Sequence, residues 1–170
     1  LALGPAESQW ERLSLDSGAD EASADGVDPM DPFQILYTSG TTDRPKGVLH
    51  SHRSALEEAA RIIGVWSIRP DDRILGHMPI FHASGQYCVL FPGMLTGATV
   101  AIGAAFSASR WSEEVRATRA TFVPLVGPQV RMIMAQPEGE LDGQHELRLV
   151  TCAIAVPEAM EQQFMRRFNT

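Results

Sequence analysis

Residues 37–48 of this sequence, YTSGTTDRPKGV, bring together the side chains that are best suited to hold an anion. Gly40 lets the backbone turn and approach a ligand, so that successive N–H groups can form an anion-binding concavity. Lys46, the one lysine of the chain, adds a positive charge. Hydroxyl donors come from Thr38, Ser39, Thr41 and Thr42. We therefore predict a phosphate-binding loop, which differs from a Walker A loop because a proline and not a glycine precedes the lysine.

The histidines are the next candidates for chemistry. His82 follows a proline and two apolar residues, a context in which a histidine is more often structural than functional. His50 and His52 form one close pair, and His77 and His82 form another, so each pair could suggest a metal site. Neither pair has a carboxylate or a cysteine at ligand spacing, and we therefore predict no metal held by protein side chains.

The elements that must position these residues alternate between β-like and helical patterns from residue 33 onward. Apolar β-like runs occupy residues 33–37, 73–78, 97–102, 121–126 and 147–153. Amphipathic helical stretches occupy residues 54–65, 86–95, 109–119, 128–135 and 157–168. This alternation predicts an α/β fold with a mainly parallel sheet flanked by helices.

Local signals refine the predicted helices. Ser51 or Ser54 should cap the first helix, which should bury one apolar stripe: Leu56, Ala59, Ala60 and Ile63. The pair Pro92 and Gly93 should interrupt the second helix, because proline lacks an N–H group. Ser109 should cap the third helix.

The composition narrows the class of protein. Of 170 residues, 44% are hydrophobic, so the chain can bury a sizeable core, and no run of about 20 apolar residues could cross a bilayer. The net charge of −7 arises in residues 1–31, which hold eight acidic side chains and one basic one. We predict an acidic, flexible lead-in over residues 1–30 and a partial domain over residues 31–170. Nothing in the charge distribution indicates a nucleic-acid surface.

The chain begins without methionine and without the basic start and apolar core of a signal peptide, so we expect a piece of a longer protein. Cys88 and Cys152 lie in apolar surroundings and form no CxxC motif. We therefore expect buried, reduced thiols and a cytoplasmic location.

The motif YTSGTTDRPKGV resembles the signature of the adenylate-forming, or AMP-binding, superfamily. Residues 78–86, MPIFHASGQ, are similar to a segment of acyl-CoA synthetases. Residues 119–136 and 147–168 are most similar to the crotonobetaine/carnitine–CoA ligase branch. The resemblance covers residues 31–169 and implies part of the large N-terminal domain of such an enzyme.

This resemblance implies a ligase that uses ATP, Mg²⁺ and coenzyme A. A carboxylic acid, for example in fatty acid metabolism, would react with ATP to give an acyl-adenylate and pyrophosphate, and the thiol of coenzyme A would then displace AMP. Thr38, Ser39, Gly40, Thr41, Thr42 and Lys46 would hold the phosphates, with Lys46 and Thr42 in catalytic roles. His82, Gly127 and Pro128 would shape the acyl pocket.

The sequence also departs from the family pattern. Asp43 stands where most relatives carry glycine, and we expect its carboxylate to face water. Residues 153–157 lack the glycines of a loop that contacts adenine in most relatives. The chain ends before the family's Mg²⁺, ribose and lysine elements, so we expect the isolated chain to be inactive. Two alternatives stay open at this point: a non-catalytic nucleotide- or acyl-binding module, and a fragment of a peptide-synthetase adenylation domain. The acid and the oligomeric state also stay open.

Overall fold

The computed structural model describes residues 25–38 and 45–170. Its first two strands, β1 (Pro32–Thr38) and β2 (Lys46–Ser51), form an antiparallel hairpin of their own. Thr38 lies opposite Lys46 at the end of the hairpin from which residues 39–45 connect the strands. The sequence patterns predicted β1 but not β2, whose residues alternate poorly and are mostly exposed. The flexible lead-in over residues 1–30 stays a prediction, since residues 1–24 lie outside the described part.

Helix α1 (His52–Trp66) continues directly from β2 and begins at the predicted serine cap. Ser51 Oγ accepts the Ser54 N–H at 3.2 Å, and Ser54 Oγ accepts the Ser51 N–H at 3.0 Å, so both serines form one capping box. The predicted buried stripe is right only in part, because α1 buries Ala59 and partly buries Ile63 but leaves Leu56 55% exposed. The residues that it buries are Ala55, Ala59 and Ile62. Two apolar stripes about 100° apart run along this helix, and local sequence does not tell which one faces the core.

The main sheet has four strands: β3 (Arg73–Gly76), β4 (Thr99–Ile102), β5 (Phe122–Leu125) and β6 (Leu149–Cys152). All of their pairings are parallel, and their spatial order is β4-β3-β5-β6. The predicted α/β fold with a mainly parallel sheet is therefore confirmed.

The segment that connects β3 to β4 stays helical across Pro92, which was expected to interrupt the helix. It consists of α2 (Ala83–Gly85), a π-helical turn (Gln86–Leu90) and α3 (Phe91–Thr96), with Pro92 in the first turn of α3. In an α-helix the proline ring clashes with the carbonyl group four residues earlier, and the wider π turn gives that carbonyl room. Gly93 then brings α3 close to β4, since a Cβ atom there would lie 2.1 Å from Val100 Cγ2.

Three further helices complete the fold: α4 (Trp111–Ala117), α5 (Gly127–Met134) and α6 (Glu158–Phe168). The predicted cap of α4 is wrong, because Ser109 lies inside a short 3-10 turn (Ala108–Arg110) that precedes the helix. Arg110 occupies the cap position, and its side chain makes no capping hydrogen bond. The extra turn moves the start of α4 past the serine.

Helices cover both faces of the sheet, because neighbouring side chains of a strand point to opposite faces. On one face Ile74 and Phe122 pack with α1 and the crossover helix. On the other face Leu75 and Val123 pack with α4, α5 and α6. Aromatic rings centre this second core, with the Trp111 and Phe168 centroids 4.8 Å apart.

A buried carboxylate holds the amino-terminal end of the sheet. Asp72, just before β3, is 3% exposed and pairs with Arg148, just before β6. Asp72 Oδ1 also accepts the Thr121 hydroxyl at 2.7 Å, and Oδ2 accepts the Arg69 N–H at 2.8 Å. Burial alone would raise the pKa of Asp72, but these hydrogen bonds outweigh burial and lower the pKa to about 2.

The two cysteines lie in different environments. Cys88 is partly exposed, and its partial burial raises the pKa of the thiol. Cys152 is exposed, so the prediction that both thiols are buried is wrong. Its strand, β6, has a partner on one side only in the described part of the chain. Within residues 25–38 and 45–170, no helix has both the length and the apolar character that a membrane crossing requires.

Candidate active site

The carboxyl ends of the four parallel strands meet at one edge of the sheet, where a change in winding direction opens a crevice. From β3 the chain crosses to β4 on one side, whereas from β5 it crosses to β6 on the other side. In open parallel sheets, ligands bind in the crevice between two such strands. The residues that follow β3 and β5 therefore lie where this fold offers a site: His77, Met78, Val126 and Gly127.

A small cavity of about 20 Å³ lies at this crevice. That volume holds about one water molecule, so the cavity accepts only a small group without movement of its walls. Among the described residues, only uncharged side chains line it: Trp66, Met78, Ser84, Cys88, Pro124, Leu125, Val126, Thr151 and Ala153. Met78 and Ser84 belong to the segment that resembles acyl-CoA synthetases, but sequence reasoning singled out only His82 there.

His82 lies where the segment after β3 enters the helical crossover, and it does not itself line the cavity. Its side chain is exposed, and Nδ1 accepts the Ser84 N–H at 3.1 Å. Since Nδ1 is an acceptor, the proton of the neutral imidazole is on Nε2. Only glycine fits at position 85 of this turn, because a Cβ atom there would lie 2.2 Å from the Pro79 carbonyl oxygen. The predicted pocket residue thus holds the backbone of a residue that lines the cavity.

Gly127 and Pro128 occupy different environments. Gly127 is buried at the start of α5, and a Cβ atom there would lie 2.7 Å from the Ile154 carbonyl oxygen. Glycine therefore allows the segment after β6 to approach the end of β5 closely. Pro128 is exposed on the first turn of α5 and does not line the cavity.

The predicted phosphate loop is bracketed by the hairpin. Thr38 and Lys46 are both exposed at its end, and the Thr38 hydroxyl donates to the Lys46 carbonyl at 3.4 Å. The Lys46 ammonium group has no ion-pair partner among the described residues. The other predicted loop residues lie outside the described residues: Ser39, Gly40, Thr41, Thr42 and Asp43.

The histidines were the other candidates for a site. In the described part of the chain, no group of three or more His, Cys, Asp or Glu side chains is close enough to hold a metal ion. His77 bonds to helix α4, where its Nε2 lies 2.8 Å from Glu114 Oε2. Its ring also packs edge-on against Phe106.

Comparison with known proteins connects this geometry with a family. A family model described as AMP-binding enzyme matches residues 3–170. The chain belongs to the AMP-binding enzyme family. The resemblance of the motif at residues 37–48 to the adenylate-forming superfamily is thereby confirmed.

Two curated relatives of this AMP-binding chain are CoA ligases. Indoleacetate–CoA ligase of Aromatoleum aromaticum is 34% identical over 142 residues, which are 83% of this chain and 28% of that protein. Crotonobetaine/carnitine–CoA ligase of Salmonella typhimurium is 34% identical over 141 residues, which are 82% of this chain and 27% of that protein. The chain thus spans 27–28% of the length of these relatives.

Solved structures of the family have the same fold. The inhibitor-bound N-terminal domain of FACL13 from Mycobacterium tuberculosis is 26% identical, with a TM-score of 0.76 over 89% of this chain and 38% of that one. A fatty acyl CoA synthetase of the same organism is 25% identical, with a TM-score of 0.74 over 88% of this chain and 29% of that one. The parallel sheet and its helices therefore belong to the N-terminal domain of this family.

The segment after β6 contributes to the same edge of this AMP-binding domain. The Ala153 N–H donates to the Leu125 carbonyl at 3.0 Å, and Ala153 lines the small cavity. Beyond it, Ala155 and Val156 line a second cavity of about 440 Å³ between β6 and α6, which Cys152 also lines. Cys88 and Cys152 therefore line two different cavities.

Proposed function

We propose that this chain is part of a carboxylate–CoA ligase, an acid–thiol ligase that activates an organic or fatty acid with ATP and transfers it to coenzyme A. The observation that carries the proposal is the pairing of Thr38 with Lys46, which closes the Ser/Gly/Thr-rich motif of an AMP-binding family member. The CoA ligases among its relatives support coenzyme A as the acceptor. A cytoplasmic location is in line with the free thiols of Cys88 and Cys152.

The loop residues would act on the phosphates of ATP. Lys46 would place its ammonium group, and Thr42 its hydroxyl, against oxygens that gain negative charge as pyrophosphate departs. Thr38, Ser39, Gly40 and Thr41 would complete the cradle with hydroxyl and N–H donors. Phosphate oxygens and water would supply most of the ligands of Mg²⁺. When bound, Mg²⁺ would neutralise part of the phosphate charge.

The acid would bind at the crevice on the carboxyl edge of the sheet. The uncharged lining of the cavity suits an apolar part of the acid. His82 would form the wall or gate of this pocket through its bond to Ser84. Gly127 would shape the pocket by admitting the Ile154 carbonyl, and Pro128 by starting α5 beside it.

The test is ATP–pyrophosphate exchange by the full-length protein with a panel of carboxylic acids, followed by thioester formation after addition of coenzyme A. Replacing Lys46 by alanine removes one charged donor, so the adenylation rate should fall by about 10- to 150-fold, equivalent to about 1.5–3 kcal/mol. Thr42→Ala removes a neutral donor and should cost about 1 kcal/mol. Arg166→Ala, which removes an exposed cation on α6, is the matched control and should leave the rate unchanged.

Each outcome decides between the candidate functions. Acid-dependent exchange and thioester formation, both sensitive to Lys46→Ala, would support the ligase. Exchange without transfer to coenzyme A would instead favour an adenylation domain that serves another acceptor. Nucleotide binding without exchange would favour a non-catalytic module. An unchanged rate in Lys46→Ala would refute the phosphate role of the loop.

A further inference from the structure

The hairpin that carries the phosphate motif stands apart from the main sheet. In the described part of the chain, β1 and β2 pair only with each other. One face of the hairpin is exposed, with Ile35, Leu49 and Tyr37 at 55%, 62% and 73% of their surface. An isolated two-stranded hairpin is marginally stable in water. Its position relative to the crevice must therefore depend on contacts with neighbouring elements.

Backbone hydrogen bonds fix the hairpin at the end that is remote from the motif. The His52 N–H donates to the Asp31 carbonyl at 3.2 Å, and the Arg53 N–H donates to the Pro29 carbonyl at 2.8 Å. Both bonds join the chain before β1 to the first turn of α1.

A tyrosine hydroxyl binds the hairpin one rung above its base. Gln34 Nε2 donates to the Tyr87 hydroxyl at 2.9 Å, and the same hydroxyl lies 3.5 Å from His50 Nδ1. Gln34 and His50 are direct partners across the two strands. Tyr87 therefore bonds to both strands at one rung of the ladder, between the fixed base and the Thr38–Lys46 end.

Tyr87 is itself held firmly. It is 6% exposed and lies in the π-helical turn, five residues after His82. Its ring packs edge-on against Phe91 with centroids 5.4 Å apart, and Phe91 contacts Phe33 of β1 at 5.9 Å. The neighbour of Tyr87, Cys88, lines the crevice cavity. Turns of the π type are rare and occur frequently at functional sites, where one extra residue changes the direction of a side chain.

From these contacts we infer that Tyr87 is a positioning residue. Through its hydrogen bond to Gln34, it fixes the position of the phosphate-binding hairpin relative to the crevice. This inference rests on the proposed function, because the hairpin is given an ATP-binding role there. In this role Tyr87 acts through the hairpin and not on a reacting atom. It links the element that would hold the phosphates to the helical segment that forms the wall of the acid pocket.

The experiment is a double-mutant cycle in the full-length protein, with Tyr87→Phe, Gln34→Leu and both together. Tyr87→Phe keeps the packed ring and removes the hydroxyl. Each single variant should lower kcat/KM for ATP by about three- to tenfold, through KM, and leave the KM of the acid within about twofold. The double variant should be no more than about twofold worse than Tyr87→Phe alone, because that variant already removes the bond to Gln34. Gln144→Leu, the same change at an exposed site, is the control.

A second readout separates this inference from the proposed function. Hydrogen exchange should be faster in peptides that cover β1 and β2 of Tyr87→Phe, and unchanged in α4 and α5. Additive losses in the cycle, a loss only in kcat, or unchanged exchange in the hairpin would overturn the inference. If the unmodified protein shows no ATP–pyrophosphate exchange with any acid, the proposed function fails. Faster hydrogen exchange in the hairpin of Tyr87→Phe would still show that Tyr87 positions the hairpin.

Discussion

Replacing Asp72 by asparagine removes one charge from the buried pair at the amino-terminal end of the sheet and keeps the size of the side chain. The native carboxylate bonds to Arg148, to the Thr121 hydroxyl and to the Arg69 N–H. Asparagine can accept fewer of these bonds, and it leaves the Arg148 guanidinium, whose side chain is 27% exposed, without its charge partner.

The magnitude follows from the pKa of Asp72, which these bonds lower from an ordinary 3.8 to about 2. One pKa unit corresponds to about 1.4 kcal/mol, so the bonded carboxylate stabilises the fold by about 2.5 kcal/mol at neutral pH. Since the pKa is lower in the folded state, this stability is present above about pH 4 and is lost as the pH falls towards 2. At pH 3 about 1 kcal/mol of it should remain.

The assay is urea unfolding followed by tryptophan fluorescence, since Trp111 is fully buried and Trp66 packs on Phe122. Asp72→Asn should lower the free energy of unfolding by about 2–3 kcal/mol at pH 7, and the difference from the native protein should shrink to about 1 kcal/mol at pH 3. The neighbouring exposed carboxylate supplies the control, and Asp71→Asn should change stability by less than about 0.5 kcal/mol. A difference that is equally small for both variants, or that does not change with pH, would refute this reasoning.

Two further predictions concern the crevice. Gly85→Ala should destabilise the protein by about 1–3 kcal/mol in urea unfolding, because its Cβ would lie 2.2 Å from the Pro79 carbonyl oxygen. The control Gly143→Ala, whose Cβ would meet no atom within 4 Å, should leave stability unchanged. Equal effects of the two changes would contradict the close approach at Gly85. An apolar acid should protect Cys88 from alkylation, measured by peptide mass spectrometry at alkaline pH, and leave Cys152 reactive, since only Cys88 lines the crevice cavity. Selective protection of Cys152 would move the acid to the cavity between β6 and α6.

The alternation of patterns predicted the architecture well because each strand of a parallel sheet is buried on both faces and reads as an apolar run. Phe122 and Val123 show this directly, since one packs on each face. The hairpin strand β2 was missed because Gly47 and His50 interrupt its apolar character and most of it is exposed. A strand that depends on its partner and not on burial leaves little trace in its own sequence.

The motif of the candidate site can be read from the sequence, but the contacts that support the site cannot. Lys46 and His82 stand in segments whose composition or family pattern singles them out. Tyr87 carries no such signal, because its role depends on Gln34, 53 residues away in the chain, and on a π turn that local patterns do not reveal. The same limit applies to Gly85, whose importance depends on a carbonyl oxygen that only the folded chain brings near. The family pattern singled out Gly127, but not its close approach to the Ile154 carbonyl oxygen.

The two ends of the sheet are built by different physical means, and the difference bears on the proposed chemistry. At the amino-terminal end, Asp72 and Arg148 neutralise each other in a buried pair. At the carboxyl end, neighbouring segments pack closely through backbone contacts at Gly85 and Gly127. The described residues that line the small cavity there are uncharged. A carboxylate about 5 Å from a bound anion would repel it by about 3 kcal/mol at an effective dielectric constant near 20. The uncharged lining of the small cavity avoids that repulsion, whereas Glu114, which reaches the same edge of the sheet, lies 2.8 Å from His77 Nε2. Under the proposed function, an acid in that cavity would therefore meet no carboxylate among the described lining residues.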